Sequence, residues 1–474
     1  MRQKLLFLLL LILFGINTAN ATRYYVDAAG TNTNWSDATT WTDACKHLDL
    51  VMLNASDGDE IWVKAGIYDP STFFYPPDQS AYYFSCVLVA GSDLQIYGGF
   101  DGTEANLSER TAWNVNQSVI TGINNIRWLS LNGTNSTFDG FVIEKNECGL
   151  AGIMLGSGKQ MLSNLIIRFN RSYAGNDLEA LIFCETGTYG YVTLFNVEIT
   201  NNKVATGATL PVAVIGTLGT TLDLINVTIA NNEEEKELAL RAHSSEVNIL
   251  NSIIWYDDQA YPNPIEFLPA VRIWNENSTS VINAANSDIM GSGGSGSNWQ
   301  LAPDVIDLGD NLDIDPIFVN PSNDMYYSPN FELDCDKGSP LIDKGENSFI
   351  PNIFFNDYDL AANARIFPKI VDIGAYECQS YPSPSSMPSK KSSFEENLIV
   401  YPTILREEAS VLLTFGKDVN AEYINLYSSA GALISRQAIT DNNISVSIPS
   451  QSGIYLLIVY GTNQQLFTQK VVRY

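Results

Sequence analysis

The chain has 474 residues, 45% hydrophobic and 11% aromatic. This is a globular composition, and the length exceeds what one ordinary compact domain uses. With 53 acidic against 26 basic side chains, the formal net charge is −27. Such a surface repels phosphate backbones and anionic membranes, which argues against nucleic acid as a partner. It also opposes polyanionic glycans unless cations bridge the two.

The first element in chain order is a leader. Arg2 and Lys4 precede the apolar run Leu5 to Phe14, and Ala19-Asn20-Ala21 offers small residues for cleavage, so residues 1–21 read as a signal peptide. The run is too short to span a bilayer comfortably, so no transmembrane segment is expected in the mature chain. No cysteine follows it, as a lipoprotein would require. Export permits disulfides. The sequence-neighbour pairings are Cys45 with Cys86, Cys148 with Cys184 and Cys335 with Cys378, one of about fifteen pairings possible. Cys335 with Cys378 is favoured because the two bracket one segment. No cysteine stands at CxxC spacing and only His47 and His243 could assist, so no cysteine metal site is expected.

The middle of the chain repeats. Segments starting at Gly140, Asn164, Asn196, Asn226 and Asn251 align, with a weaker copy at Asn286, at spacings of roughly 24 to 35 residues. The second and fourth positions are apolar in nearly every copy: Phe141 and Ile143, Leu165 and Ile167, Val197 and Ile199, Val227 and Ile229. The third and fifth vary, from Glu198 to Ile166 and from Arg168 to Ala230. This is period-two alternation with one face inward. The spacing is too short for a βαβ unit and too regular for a sandwich. A single such strand cannot bury its apolar face, whereas copies stacked about 4.8 Å apart form a continuous narrow core. Asparagines flank the strand, leading at Asn164, Asn196, Asn226 and Asn251 and trailing at Asn146, Asn170, Asn202 and Asn232. Asparagine accepts left-handed corners, and amides stacked rung over rung can form a ladder.

The flanks carry further motifs. Tyr24-Tyr25-Val26 is followed by Trp41 and a short helix through Leu53, then by the run from Gly58 to Tyr68 and by Ile96-Tyr97-Gly98-Gly99-Phe100-Asp101-Gly102-Thr103-Glu104 with Arg110. At the far end stand Asp315-Pro316-Ile317-Phe318, the run from Gly338 to Gly345, Asp359, Arg365 and Asp372-Ile373-Gly374-Ala375-Tyr376-Glu377. Residues 22–378 thereby resemble the bacterial surface β-helix proteins called choice-of-anchor Q proteins, related to polymorphic outer-membrane repeats. The resemblance implies an all-β fold: a right-handed parallel β-helix, a pectate-lyase-like solenoid, with caps at both ends. It implies no activity. Residues 379–392, rich in Ser and Pro, read as a linker. The short strands of residues 393–474, from Asn397-Leu398-Ile399-Val400-Tyr401-Pro402 to Gln469-Lys470-Val471-Val472-Arg473-Tyr474, resemble the type A sorting domain of the type IX secretion system. That resemblance implies a small Ig-like β-sandwich, the secretion machinery as a partner, and an address at the outer-membrane surface of a Gram-negative bacterium.

Candidate chemistry is sparse. Stacked in order, the repeats place Glu144 and Arg168 on adjacent rungs, with Glu198 diagonal to Arg168, a set that could serve a lyase or a two-carboxylate hydrolase. The competing reading is a surface ion pair. Asp304, Asp307, Asp310, Asp313 and Asp315 offer oxygen ligands for calcium, or else structural turns. Asp343, Asp357, Asp359, Arg365, Asp372 and Glu377 are expected to cap the last rung. Trp255-Tyr256, Tyr326-Tyr327, Trp274 and Trp299 could stack on sugars or pack loops. Glu233-Glu234-Glu235 reads as a solvated turn. The row Val142, Ile166, Glu198, Thr228, Ile253 is no catalytic groove. The sequence therefore favours a secreted surface protein with a binding or structural role toward a glycan or host surface, with a polysaccharide lyase or glycoside hydrolase as the alternative.

Overall fold

The computed structural model describes residues 21–473 except 70–85, 91–92, 111–112, 125–126, 134, 149–150, 175–179, 187–189, 207–212, 235–237, 256–279, 302–303, 323–329, 354–356, 381–397, 402–403, 406–409, 416–420, 429–432, 442, 452 and 462–464. The leader, Tyr256, Trp274, Tyr326, Tyr327 and most of the linker lie outside the described residues. The chain divides into two compact units, Met1–Pro382 and Ser383–Tyr474.

The first unit is all-β, a right-handed parallel β-helix built of stacked rungs. Its longest path joins the strands Arg23–Val26, Glu60–Lys64, Gln95–Phe100, Ser136–Asp139, Lys159–Arg168, Tyr191–Thr200, Thr221–Ala230, Glu246–Leu250, Val281–Ala285 and Val305–Gly309, each parallel to the next. A second parallel sheet stacks Cys86–Ala90, Arg127–Leu131, Ile153–Leu155, Ala180–Cys184, Ala213–Leu218 and Leu238–His243. A third stacks Glu147–Cys148, Arg171–Ala174, Lys203–Thr206 and Glu233–Glu234. Glu233 therefore continues a ladder register through Lys203, Arg171 and Glu147 and does not lie in a plain turn.

Register explains why the repeat was readable. Leu165 pairs with Val197 and Val197 with Val227, and Ile167 with Ile199 and Ile199 with Ile229, so equivalent apolar positions meet rung over rung. All six are wholly buried. Each such side chain contributes about 1.5–3 kcal/mol relative to exposure, which is how strands unable to fold alone become stable in a stack. The first end of this core is covered by the helix Leu48–Asn54, which buries Leu48, Val51 and Met52 against it.

The closing segment does not cap the last rung, contrary to the sequence expectation. It runs back along the flank of the helix. Gly374 N–H donates to the Asn251 carbonyl, Ala375 N–H to Thr228 Oγ1, and the Tyr376 hydroxyl to Glu198. Phe318, Phe331, Leu333, Leu341 and Ile373 form a second apolar cluster with Ala230 and Ile253. The physical reason is that the outward third and fifth positions of these rungs are mostly apolar or small, as at Thr200, Thr228, Ala230, Ile253 and Trp255, so covering them removes that surface from water, while the exception, Glu198, is met by the Tyr376 hydroxyl.

The second unit holds an antiparallel three-stranded sheet, Leu398–Tyr401, Ser410–Phe415 and Asn443–Ser447. A five-stranded sheet is formed by Ile404–Leu405, Gln465–Arg473, Gly453–Gly461, Ala421–Ser428 and Leu433–Ala438. Val411, Leu413, Ile444 and Val446 from the first pack with Ile424, Leu426, Leu457, Val459 and Val471 from the second, as in a small β-sandwich.

Candidate functional site

The outward face of the trailing half-strands carries the residues that the sequence singled out. Arg168 pairs in register with Glu144, and its Nε lies 2.9 Å from Glu144 Oε2. Lys145 Nζ stands 2.9 Å from the other oxygen, Oε1. Burial works against the ionised Glu144, and the hydrogen bonds and charges of Lys145 and Arg168 outweigh it, holding its pKa below the ordinary value. Glu198 pairs in register with Ile166, diagonal to Arg168. It is 3% exposed and lies beneath the closing segment, accepting from Tyr376 Oη and, at 2.7 Å, from Thr200 Oγ1. Burial pushes Glu198 above the usual carboxylate range, against those two donors and Arg168. The three residues are thus not gathered around an open groove. Val142, Thr228 and Ile253 of the same row are also buried.

The two asparagine rows do different work. The trailing row is a continuous ladder: Asn146, Asn170 and Asn202 each donate both backbone N–H and Nδ2 to the next Oδ1, at 2.9 to 3.1 Å, ending on Asn232. The left-handed residue at this corner is the one before, namely Lys145, Phe169, Asn201 and Asn231. In the leading row Asn164, Asn196, Asn226 and Asn251 are themselves left-handed, with φ from 48° to 53°. Their amides contact one another only at 3.3 to 3.5 Å and turn instead toward other segments. Asn226 Nδ2 donates to the carbonyls of Asp372 and Gly374, Asn196 Nδ2 to that of Tyr358, and Asn251 Nδ2 to that of Glu346.

Two buried arginines lock onto this row. Arg110 is ion-paired with Asp139 and donates to the Gly98 carbonyl at 2.6 Å. Asp139 in turn accepts from Ser163 and from Asn164 Nδ2. Gly140 must be glycine here, because its φ is +82° and a Cβ would stand 2.3 Å from Arg110 Nη1. Arg365 donates to Asn196 Oδ1 at 3.0 Å, to the carbonyls of Gly374, Ala375 and Tyr376, and to Glu377. Around it, Asp359, Asp372 and Glu377 accept six backbone N–H groups: Asn363, Glu377, Asp343, Cys378, Phe367 and Asp372. Burial pushes Asp359 and Asp372 up to about 6 and Glu377 up to about 8, with Arg365 acting in the opposite direction. This cluster holds the segment's backbone in place on the flank.

The calcium candidates serve turns. Asp307 accepts from Ser295 Oγ, Gly296 N–H, Gly309 N–H and Asn311 Nδ2, Asp313 from the N–H groups of Gly291 and Gly293, and Asp315 from Ile317 N–H. Asp310 is exposed with φ 56°. Among the described residues no three His, Cys, Asp or Glu groups are gathered as metal ligands. Sequence reasoning passed over Asp288 beside them, which is wholly buried and pushed up to about 8 by burial, despite the Ile314 N–H, and by Asp313 and Asp315.

Cys335 and Cys378 form a disulfide, with Cα atoms 5.8 Å apart. The other neighbour pairings are not formed, because Cys45 and Cys184 are buried free thiols. Each is held inside the core at a fixed inward position, Cys184 on a strand of the second sheet and Cys45 beside the first strand, so burial and not bonding explains them. Cys148 is likewise buried in that core. Trp299 packs on the core with its indole N–H on the Val305 carbonyl, and Trp255 packs into the second cluster, so neither presents an open ring.

A polar row that the sequence reading missed runs along the outward face of the leading half-strands. Asn283 Nδ2 donates to Asn248 Oδ1 at 2.9 Å and Asn248 Nδ2 to Asp223 Oδ1 at 2.7 Å, while the Tyr191 hydroxyl donates to Asp223 Oδ2. The signal was available: Asp223, Asn248 and Asn283 each stand three residues before a leading asparagine. Beside this row, Gly219, Thr220, Thr221, Ser244, Ser245, Glu246 and Val281 line a hollow of about 450 Å³.

Among solved structures the chain is similar to the crystal structure of pectate lyase Pel9A, at 12% identity over 76% of this chain and 97% of that one, with a TM-score of 0.30. No family model and no curated protein matches the chain.

Proposed function

We propose that this is a secreted, surface-attached bacterial β-helix protein whose role is to bind a glycan or host surface, exported through residues 393–474 by the type IX secretion machinery. The observation that carries the binding role is Tyr376 seated on Glu198. The protein's own closing segment occupies the outward face where a β-helix lyase or hydrolase would need open, converging carboxylates. Glu144, the remaining acid, has both oxygens engaged by Arg168 and Lys145. The leading half-strands keep a rung-spaced polar row in contact with solvent.

The test uses the mature full chain with calcium and a panel of acidic and neutral polysaccharides, reading reducing ends, unsaturated products and retention on immobilised polymer. Retention without product is expected. Product that disappears in Glu144→Ala or Arg168→Ala would replace this reading with an enzyme. Removing residues 393–474 is expected to leave the protein in the periplasm, and undiminished surface display would overturn the sorting role.

A further inference from the structure

The hollow beside Glu246 and the row of Tyr191, Asp223, Asn248 and Asn283 form one surface. Thr221 lines the hollow and pairs in register with Tyr191 on one side and Glu246 on the other, and Glu246 pairs with Val281. Successive rungs stand about 4.8 Å apart, so Tyr191 and Glu246 are about 10 Å apart along the helix axis. Asp223 lies two residues beyond Thr221 on the same outward face, with Asn248 and Asn283 on the following rungs. At 450 Å³ the hollow is of the size that holds a small ligand or a few rings of a polymer.

We propose that this surface binds an amino-sugar polysaccharide carrying free ammonium groups, laid along the helix axis. The inference rests on the binding role proposed above and names the ligand. Tyr191 is 36% exposed, and its hydroxyl is fixed to Asp223, so the ring is held in place as a stacking platform for a pyranose. The amides of Asn248 and Asn283 are fixed by the same network, each with a further N–H to offer a sugar hydroxyl. Thr221 and the backbone at Gly219 add neutral polar contacts at the rim. Charge selects among sugars. Glu246 is exposed, with Asp223 nearby, and the whole chain carries −27, so a carboxylated or sulfated polymer is repelled and an ammonium group is drawn in. Lys159, one rung before Tyr191, stands at the end away from Glu246, and Arg23, several rungs farther along the Asp223 row, is ion-paired with Glu60.

The full mature chain is titrated calorimetrically with four tetrasaccharides: glucosamine, N-acetylglucosamine, cellotetraose and galacturonate. The glucosamine tetramer is expected to bind at least tenfold more tightly than the others, with affinity falling as salt rises. Glu246→Gln and Tyr191→Phe keep the fold's outward surface intact. The first is expected to weaken binding about tenfold, as loss of a charge-assisted bond does, and the second less, since the ring remains. Tyr191→Ala is expected to abolish it, and Glu144→Gln, on the other face, to leave it unchanged. Equal binding of the glucosamine tetramer by Glu246→Gln, or tighter binding of another tetramer, overturns this assignment while leaving the binding role standing. No retention of any glycan or host-surface protein overturns both.

Discussion

The hydroxyl of Tyr376 donates to Oε2 of Glu198, a residue 178 positions earlier in the chain. This bond joins those of Gly374, Ala375 and Asn226 in fixing the last motif of the β-helix unit to rungs in its middle. Tyr376 is partly buried against the second apolar cluster, and desolvation together with the neighbouring Glu198 charge pushes its own pKa well above the phenol value, so it is the donor. Tyr376→Phe leaves a buried carboxyl oxygen without its partner and is expected to cost about 1–3 kcal/mol in urea unfolding. In a Glu198→Leu background the same change should cost almost nothing, because the bond is already gone. Equal costs in both backgrounds would mean that Tyr376 acts through packing alone.

Asn202 offers a sharper test of the ladder. Its Oδ1 accepts twice from Asn170, and its Nδ2 donates to Asn232 and to the carbonyls of Ile167 and Thr200. Asn202→Ala orphans several buried groups at once and is expected to destabilise by about 3 kcal/mol or more. Asn202→Asp keeps the acceptor and the shape but faces the Asn232 oxygen and two carbonyls with a carboxylate. It should be at least as damaging, and a near-neutral Asp variant would show that the donor half of the ladder is dispensable.

These two residues also mark how far the sequence could be read. Asn202 belongs to a position repeated rung after rung, and stacking identical rungs places identical side chains together, so its neighbours follow from alignment alone. The inward residues Leu165, Val197 and Val227 follow for the same reason. Tyr376 has no such partner. The closing segment meets the leading asparagines mostly through main-chain carbonyls, those of Tyr358, Asp372 and Gly374, which leave no trace in residue type. Its path over the flank rather than the end was therefore not legible. The Asp223, Asn248, Asn283 row was legible at a fixed offset but hidden by variation on the first rungs, where Met161 and Thr193 stand in register. The cysteines show the limit of counting: even number and order said nothing of Cys45 and Cys184, whose inward positions make them small core residues.

The disulfide ties the two ends of the flank segment together across a sequence separation of 43. On loop-closure entropy alone, a link of that span constrains the unfolded chain by about 4 kcal/mol. Cys335→Ser with Cys378→Ser is expected to lower stability by about 2–4 kcal/mol and to let protease reach residues 339–378 before the rungs. Limited proteolysis followed by mass spectrometry reads this directly. Simultaneous loss of segment and rungs would show instead that the two unfold as one unit.

The pH dependence follows from the carboxyls around Arg365. Burial raises Asp359 and Asp372 to about 6 and Glu377 to about 8, above their unfolded values near 4. A raised acid pKa means that the folded state holds the proton more tightly. The stabilisation is complete below the unfolded pKa and is lost as pH climbs through the folded values. The closing segment should therefore loosen between about pH 4 and pH 8, a window in which surface carboxylates elsewhere are already ionised. Asp288, raised to about 8 at another place in the β-helix unit, adds to the same trend. Glu144 and Asp307 work in the opposite sense. Their depressed pKa values give stability that is present above the unfolded range and lost as pH falls below it. Thermal unfolding scanned from pH 3 to pH 9 is expected to peak on the acid side of neutrality and to fall toward pH 8. Glu377→Gln keeps the acceptor for Arg365 without an ionisable group, and should flatten the alkaline fall while lowering the peak. An unchanged alkaline limb in that variant would place the titration elsewhere in the molecule.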